Sequence, residues 1–403
     1  MLNRNFLIGR APSIPLLALL TALNVALGQV EFGGYDSSML IDLGWRQHLG
    51  QQPYKDFPCM LPPSFYLLAH AAIDLFGVHW WSFTVLNSLI WLLLSGLGLY
   101  LVSSSHDSVT TERASFLAKI FLVSMMVPLL ATNHLWHSAI ASQCVVLFLL
   151  ILYLELQCLE TRRRPTLPLF CAGIFAAGML WLSKPNAAFP ALIMSGIFSF
   201  ACRDKRRFFA FWIETILGGA FVAVGVLRLC HISFLSAITS YGHVSERPSP
   251  LDALSDFLTE GKDWSVILEA TATYAILIAV LIFILLQARY QTTRSLTAAG
   301  LVAGLGSLIT LIGICTNWDI RLNDLAPAFF GVFVYLRERE QFYVRPHGWL
   351  RIAIRNTVLF TLVLVGVVSL RRARMQSVGI WAGDVSGTLT SRHDSFFGFF
   401  CQV

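Results

Sequence analysis

The sequence predicts an all-α, polytopic integral membrane protein, and three observations lead to that prediction. Hydrophobic residues make up 56% of the 403 residues and charged residues only 13%, whereas a soluble domain is about one quarter charged. Apolar runs close to the roughly 20 residues that cross a bilayer recur along the chain. The sequence lacks the short alternating segments of an outer-membrane barrel. Because backbone groups cannot stay unpaired in lipid, each run is predicted to be a helix.

About eleven spans are predicted, all within a transmembrane domain over residues 1–370, and a short C-terminal segment follows at 371–403. The first span follows Arg4 and Arg10 but lacks a convincing small-residue cleavage site, which predicts an uncleaved signal anchor. The segment at 325–336 is short for a span. In chain order the predicted spans are 12–30, 80–103, 114–131, 137–158, 167–183, 186–202, 208–230, 265–287, 296–315, 325–336 and 349–370.

Basic residues indicate the orientation of these spans. With the N-terminus inside, the inner loops contain RRR at 162–164 and RDKRR at 203–207, as the positive-inside rule requires. The loops at 31–79 and 231–264 then lie outside, as does the C-terminal segment. RRAR at 371–374 is the exception, which indicates either a miscounted span or a segment lying against acidic headgroups. The net charge of +6 requires no nucleic-acid partner.

Two helices are predicted within the first outer loop. An amphipathic helix over Ser37–Leu49, ending at Gly50, would lie in the plane of the interface. It carries Asp42, Arg46 and Gln47 on its polar side, and Asp42 and Arg46 have the spacing of a surface ion pair. A second helix is predicted from the pair Pro62-Pro63 to Phe76, with Gly77 as its stop.

Asp36 is the first candidate for a catalytic residue. It is a carboxylate directly before the predicted amphipathic helix and just beyond the first span. An aspartate in that position commonly caps a helix, and spacing alone favours the cap. The alternative is a general base at the membrane boundary. One carboxylate is able to serve both roles.

Four cations are candidates for holding a phosphate at the outer boundary. Lys184 interrupts the apolar run WLSKPNAAFP, and phosphate binding and snorkelling explain it equally well. Arg321 lies in CTNWDIRLND, where a guanidinium could fork onto a phosphate, although a solvated turn also explains that segment. Arg228, one turn before the end of its span, has snorkelling as its alternative. Lys55 lies in the first outer loop.

The order of features in the first outer loop resembles the polytopic glycosyltransferases of the GT-C type, such as the protein mannosyltransferase-like and aminoarabinose transferase-like enzymes. An acidic residue follows the first span, then a G-x-x-P-Y-x-D-F run, then a helix that begins at Pro-Pro and ends in L-F-G. The resemblance is strongest over residues 15–105, and KPN at 184–186 resembles a later element of several such families. The matching residues are Asp36, Gly50, Pro53, Tyr54, Asp56, Phe57, Pro62, Pro63, Tyr66, Leu75, Phe76 and Gly77.

This resemblance implies a bacterial inner-membrane enzyme whose site faces the periplasm or cell exterior. It would move a hexose or pentose from a polyprenyl-phosphate donor to a hydroxyl of a glycan, lipid or protein in the cell envelope. Asp36 would be the base, and Lys184 and Arg321 would hold the donor phosphate, with Lys55 or Arg228 in reserve. No metal-ligand spacing occurs, and no carboxylate cluster requires a divalent metal, although enzymes of this type differ in using one. The remaining candidate substrate-binding residues are Tyr54, Asp56, Asn186, Asn317 and Asp319.

A transporter or flippase of lipid-linked envelope precursors is the alternative function. That class predicts broken helices with polar groups near the middle of the bilayer, often in inverted repeats. Here the polar residues concentrate near the predicted outer ends of the spans, and the sequence contains no internal repeat. The transferase is therefore the first expectation and the transporter the second.

Overall fold

The predicted all-α fold is confirmed over the part of the chain that the structure describes. The computed structural model describes residues 13–30, 35–57, 59, 61–105, 111–131, 135–160, 166–184, 205–237, 294–316 and 325–342. Within these ranges the chain forms ten helices and no strand. The helices are α1 Ser13–Val30, α2 Tyr35–His48, α3 Pro63–Phe76, α4 Trp80–Ser104, α5 Thr111–Ala131, α6 His137–Glu160, α7 Leu167–Ser183, α8 Lys205–Leu229, α9 Arg294–Thr316 and α10 Ala326–Phe342.

The apolar helices are those of a membrane protein. Among the described residues, three stretches are long and apolar enough to cross a bilayer, namely Trp80–Ser104, His137–Leu159 and Arg206–Leu229. The predicted spans at 186–202, 265–287 and 349–370 lie outside the described residues, so the total of eleven remains a prediction. The short segment predicted at 325–336 is part of the longer helix α10, which has 17 residues.

Close contacts fix the relative directions of neighbouring helices. A Cβ added to Gly173 would lie 3.1 Å from Thr215, and one added to Gly178 would lie 3.2 Å from the Gly219 carbonyl oxygen. The contacts advance together along α7 and α8, so these two helices run parallel. Parallel neighbours are what the predicted intervening span, itself outside the described residues, requires. Small residues allow this backbone approach in a membrane, where helices gain little from hydrophobic burial.

Helices α9 and α10 form an antiparallel pair. The Ala328 amide donates a hydrogen bond to the Thr310 hydroxyl at 3.1 Å. Nearer the other end of α9, a Cβ on Gly331 would come within 2.7 Å of the Ala303 Cα. The pair packs against α6, whose residues are buried over almost the whole helix. Helix α6 is therefore the centre of the bundle.

The described bundle has two chemically different ends. At one end, the Phe65 ring of α3 meets the rings of Trp136 and His137 edge-on, with centroids 5.1 and 5.7 Å away. This is the cap end, because α2 and α3 cover it. At the other end, Glu338 accepts hydrogen bonds from Arg113 and from the Tyr153 hydroxyl, each at 2.7 Å. This is the ionic end. The predicted first outer loop belongs to the cap end.

Candidate functional site

Helices α2 and α3 cross in close contact at the cap end. A Cβ on Gly44 would lie 2.9 Å from the carbonyl carbon and oxygen of Ala69 and 2.8 Å from the Ile73 Cδ1, so no larger residue fits without a shift. The Gln47 amide donates to the backbone oxygens of Leu43 and Tyr66 at 3.1 and 2.9 Å. Gln47 was expected on the polar face, but it is buried, because its amide links the two helices.

The start of α2 changes the prediction for Asp36. The sequence placed Asp36 before the helix, but α2 begins at Tyr35, so Asp36 lies within the first turn. Asp36 is therefore not the N-cap, because the N-cap residue precedes the first helical residue. The backbone of Asp36 is described, but its side chain lies outside the described part of the structure, so its catalytic role remains a prediction. Asp36 is thus on a regular helix whose far end is locked against α3.

The predicted ion pair on α2 is confirmed. The Arg46 Nε donates to the Asp42 carboxylate at 2.9 Å, and both side chains are partly exposed. The Arg46 guanidinium also lies 5.6 Å from the centre of the Phe57 ring. This contact brings the G-x-x-P-Y-x-D-F turn against α2, so the turn and the helix that carries Asp36 form one unit.

The turn after α2 is closed by its own polar groups. The Asp56 carboxylate accepts a hydrogen bond from the backbone N–H of Gln52 at 2.6 Å, and the backbone N–H of Tyr54 donates to the backbone oxygen of Phe57 at 2.9 Å. Tyr54 has a φ of 68°, a left-handed conformation that is unusual for a bulky side chain. Lys55 projects at the tip and is exposed. Asp56 therefore has a structural role in addition to its predicted role in substrate binding.

Tyr54 of this turn belongs to a group of weakly acidic side chains that also contains Cys59 and Tyr66. The Tyr54 and Tyr66 rings meet edge-on with centroids 5.9 Å apart. Burial raises the pKa of the Cys59 thiol to about 11, and burial raises the pKa of both phenols well above their usual range. Cys230, directly after α8, is close enough to add to the effect on the pKa of Tyr66. At neutral pH these groups carry no charge, so none of them is an anionic base.

Two of the predicted cations belong to the same end of the bundle. Lys184 directly follows α7 and is 2% exposed. A six-residue connection at 161–166 joins α7 to α6, and the two helices pack together, so α7 runs back towards the cap end. Helix α8, parallel to α7, brings Arg228 to that end as well, where its side chain is exposed. The burial of Lys184 differs from the exposed head group that snorkelling predicts.

Four predicted site residues lie outside the described residues. They are Asn186, Asn317, Asp319 and Arg321. The last three of them lie in the connection between α9, which ends at Thr316, and α10, which begins at Ala326. How these four side chains stand relative to Asp36 or Lys184 therefore remains a prediction.

The structure brings together one constellation that the sequence interpretation missed. The side chains of His48, His70 and Asp74 meet where α2 crosses α3, with their ligand atoms all within 4.8 Å of one another. His70 and Asp74 are four residues apart on one helix, and this spacing indicates from the sequence that their side chains are neighbours. His48 lies on the other helix, so only the crossing of α2 and α3 reveals the third member.

Comparison with known proteins found no matching family model, and no significantly similar curated protein or solved structure.

Proposed function

We propose that the chain is a glycosyltransferase that takes a sugar from a polyprenyl-phosphate donor and passes it to an acceptor hydroxyl at the membrane surface. The observation that carries the proposal is the common location of the candidate groups. The first-loop helices cover the same end of an apolar bundle at which α7 ends with the buried Lys184. A lipid-linked donor requires a site at such a boundary, since its tail stays in the bilayer.

The proposed reaction is a single displacement at the anomeric carbon. The acceptor oxygen forms a bond to that carbon, the bond from the carbon to the phosphate oxygen breaks, and the acceptor proton moves to the Asp36 carboxylate. A phosphate is a good leaving group, so positive charge that stabilises it matters more than a general acid. Attack opposite the leaving group inverts the anomeric centre.

The described residues support different roles for the candidate cations. Lys184 is buried, and a buried ammonium stabilises an anion more strongly than an exposed one. We assign it to the donor phosphate together with Arg321. Lys55 and Arg228 are exposed, and they remain reserve contacts, suited to a phosphate that approaches along the surface. The cap end would then face the periplasm or cell exterior of a bacterial inner membrane.

A transporter or flippase remains the second candidate, and one observation favours it. Within the described part of the bundle, the Glu155 carboxylate on α6 is buried and neither oxygen has a hydrogen-bond partner. Ionisable groups inside a membrane are often part of a transport pathway. Against this, α6 is continuous over 24 residues, whereas transporter sites usually lie at broken helices.

The decisive experiment measures product in membranes that contain the wild-type chain or a variant, supplied with radiolabelled polyprenyl-phosphate sugars and envelope acceptors. Asp36→Asn should lower the transfer rate by about 10²- to 10⁴-fold, the usual effect of removing a general base. Asp42→Asn is the matched control, because it removes a carboxylate from the same helix. Near-wild-type transfer by Asp36→Asn would refute the role of Asp36.

The same membranes separate the two candidate functions. If the wild-type chain forms no glycosylated product but moves labelled lipid-linked sugar across the bilayer of proteoliposomes, the transporter is correct. In that case Glu155→Gln should abolish movement while Asp36→Asn leaves it intact. For a transferase, Asp36→Asn should abolish sugar transfer and Glu155→Gln should leave it intact.

A further inference from the structure

Among the described residues, His48, His70 and Asp74 form a group of potential metal ligands outside the proposed transfer site. The Asp74 carboxylate uses both oxygens, one 2.7 Å from the His48 Nδ1 and the other 3.1 Å from the His70 Nε2. The three side chains are between one third and one half exposed. Their polar atoms therefore converge on one point that solution can reach.

We propose that these three side chains form a binding site for a divalent transition metal, with Zn²⁺ as the ion that their chemistry fits best. Two imidazoles and one carboxylate are a common ligand set for zinc, with bonds of about 2.0–2.2 Å. Hard ions such as Mg²⁺ and Ca²⁺ prefer sites made of oxygen alone. With three protein ligands at an exposed position, a fourth position remains open to water.

The scaffold of this site is rigid. The close approach at Gly44 and the Gln47 amide lock α2 onto α3 within one turn of His48. The Trp45 ring stacks on the His48 ring, with centroids 5.3 Å apart and planes inclined by 25°, which restricts the rotation of that imidazole. Ligands held by two packed helices lose little freedom on binding, so the arrangement is prepared for an ion.

Only small movements would complete the coordination. Ligand atoms around a tetrahedral zinc ion lie roughly 3.3 Å apart for bonds of this length, and the three ligand atoms here are within 4.8 Å of one another. We expect adjustment of the side chains on the fixed helices to close that difference. Without metal, the same atoms form two hydrogen bonds between histidine and aspartate, which is the competing explanation for the cluster.

The site would act on the geometry of the first outer loop. Zinc would tie the last residue of α2 to α3, and Asp36 lies in the first turn of that same α2. Binding to the folded state alone raises stability by mass action. The inference concerns metal binding and does not depend on the proposed transfer reaction.

The test uses the full chain purified in detergent with a histidine-free affinity tag, stripped with a chelator and titrated with Zn²⁺. Calorimetry should give one equivalent bound, and Co²⁺ should give the visible absorption of a site containing nitrogen ligands. His70→Ala, His48→Ala and Asp74→Asn should each weaken binding at least about tenfold, since even outer-shell changes at metal sites cost 10- to 100-fold. The melting temperature should rise with Zn²⁺ in the wild type and not in these three variants.

The control is His79→Ala. His79 is an exposed histidine in the same loop that stacks on Trp81, with centroids 5.7 Å apart, and its removal should leave zinc binding unchanged. Absence of one tight equivalent in the wild type would overturn the proposal, as would retained binding by His70→Ala. Asp74→Asn keeps the side-chain shape, so a folded Asp74→Asn protein with wild-type affinity would show that Asp74 is not a ligand and would overturn the three-residue site. Each result is read without donor or acceptor, so it is separate from the transfer assay.

Discussion

The two ends of the bundle use charge in opposite ways. At the ionic end the charges satisfy one another: Glu338, whose side chain is 2% exposed, accepts from Arg113 and Tyr153, and the neighbouring Arg337 pairs with Glu112. At the cap end, Lys55, Arg228 and His79 reach solution, Lys184 is buried, and the buried thiol and phenols are neutral. A closed network stabilises one structure, whereas open charges are available to a ligand. The comparison is consistent with the proposed site at the cap end and with a stabilising role for the charges at the ionic end.

The largest expected loss of stability follows from removing the Glu338 carboxylate at the ionic end. Glu338→Ala leaves the Arg113 guanidinium, itself largely buried, without its carboxylate, and the loss of one member of a buried pair costs about 3 kcal/mol or more. Thermal unfolding in detergent measures the loss. Glu112→Gln is the control, because that carboxylate is 77% exposed and surface pairs contribute at most about 1 kcal/mol. Equal effects of the two changes would show that burial does not determine how strongly these pairs stabilise the fold.

The next effect tests the helix crossing at the cap end. Gly44→Ala places a Cβ against the Ala69 backbone, and overpacking of this kind costs about 1–3 kcal/mol. Gly96→Ala is the matched control, because a Cβ there meets nothing within 4 Å and gains the same helix propensity. Thermal unfolding compares the two. If Gly44→Ala proves as stable as Gly96→Ala, then α2 and α3 do not cross as closely as described.

The buried acids of the cap end predict a dependence on alkaline pH. The pKa of Cys59 rises from its ordinary value of 9.0 to about 11, so folding favours the protonated thiol. That contribution is complete below pH 9 and is lost as the pH rises from 9 to 11. Stability should therefore fall over this window, and Cys59→Ala should make the fall shallower. Unfolding at a series of pH values measures it; an unchanged profile in Cys59→Ala would contradict the assignment.

The smallest expected effect is at the exposed pair on α2. Asp42→Asn removes the ion pair with Arg46, and partly exposed pairs at this spacing contribute a few tenths of a kcal/mol. The unfolding midpoint should barely change, and the remaining shift should disappear in high salt because the pair is screened. A loss larger than about 1 kcal/mol would mean that charge at the cap end also stabilises the fold.

Several features that depend on local order could be predicted from the sequence. The helix from Pro63 to Phe76 with its stop at Gly77 is confirmed, as is the pair of Asp42 and Arg46, because proline, glycine and four-residue spacing act within one element. Most described bundle helices also match the predicted apolar runs to within a few residues. Hydrophobic length alone predicts these.

Contacts between elements could not be predicted in the same way. Glu338 and Arg113 are 225 residues apart, and nothing in either local pattern indicates the partner. The local pattern predicts Gln47 on the polar face of α2, but its side chain is buried because it donates to the backbone oxygen of Tyr66 on α3. Asp36 was placed one position outside its helix because the residue before a helix and the first residues within it favour the same side chains.

The parallel contact of α7 and α8 has a consequence for biosynthesis. Its surfaces are made of small residues such as Ala177 and Gly219, which attract each other only when backbones touch. Helix α7 leaves the ribosome before α8, so the contacts of its glycine-lined face with α8 form only after α8 has been made. The order of synthesis therefore makes α8 the helix whose insertion completes this contact.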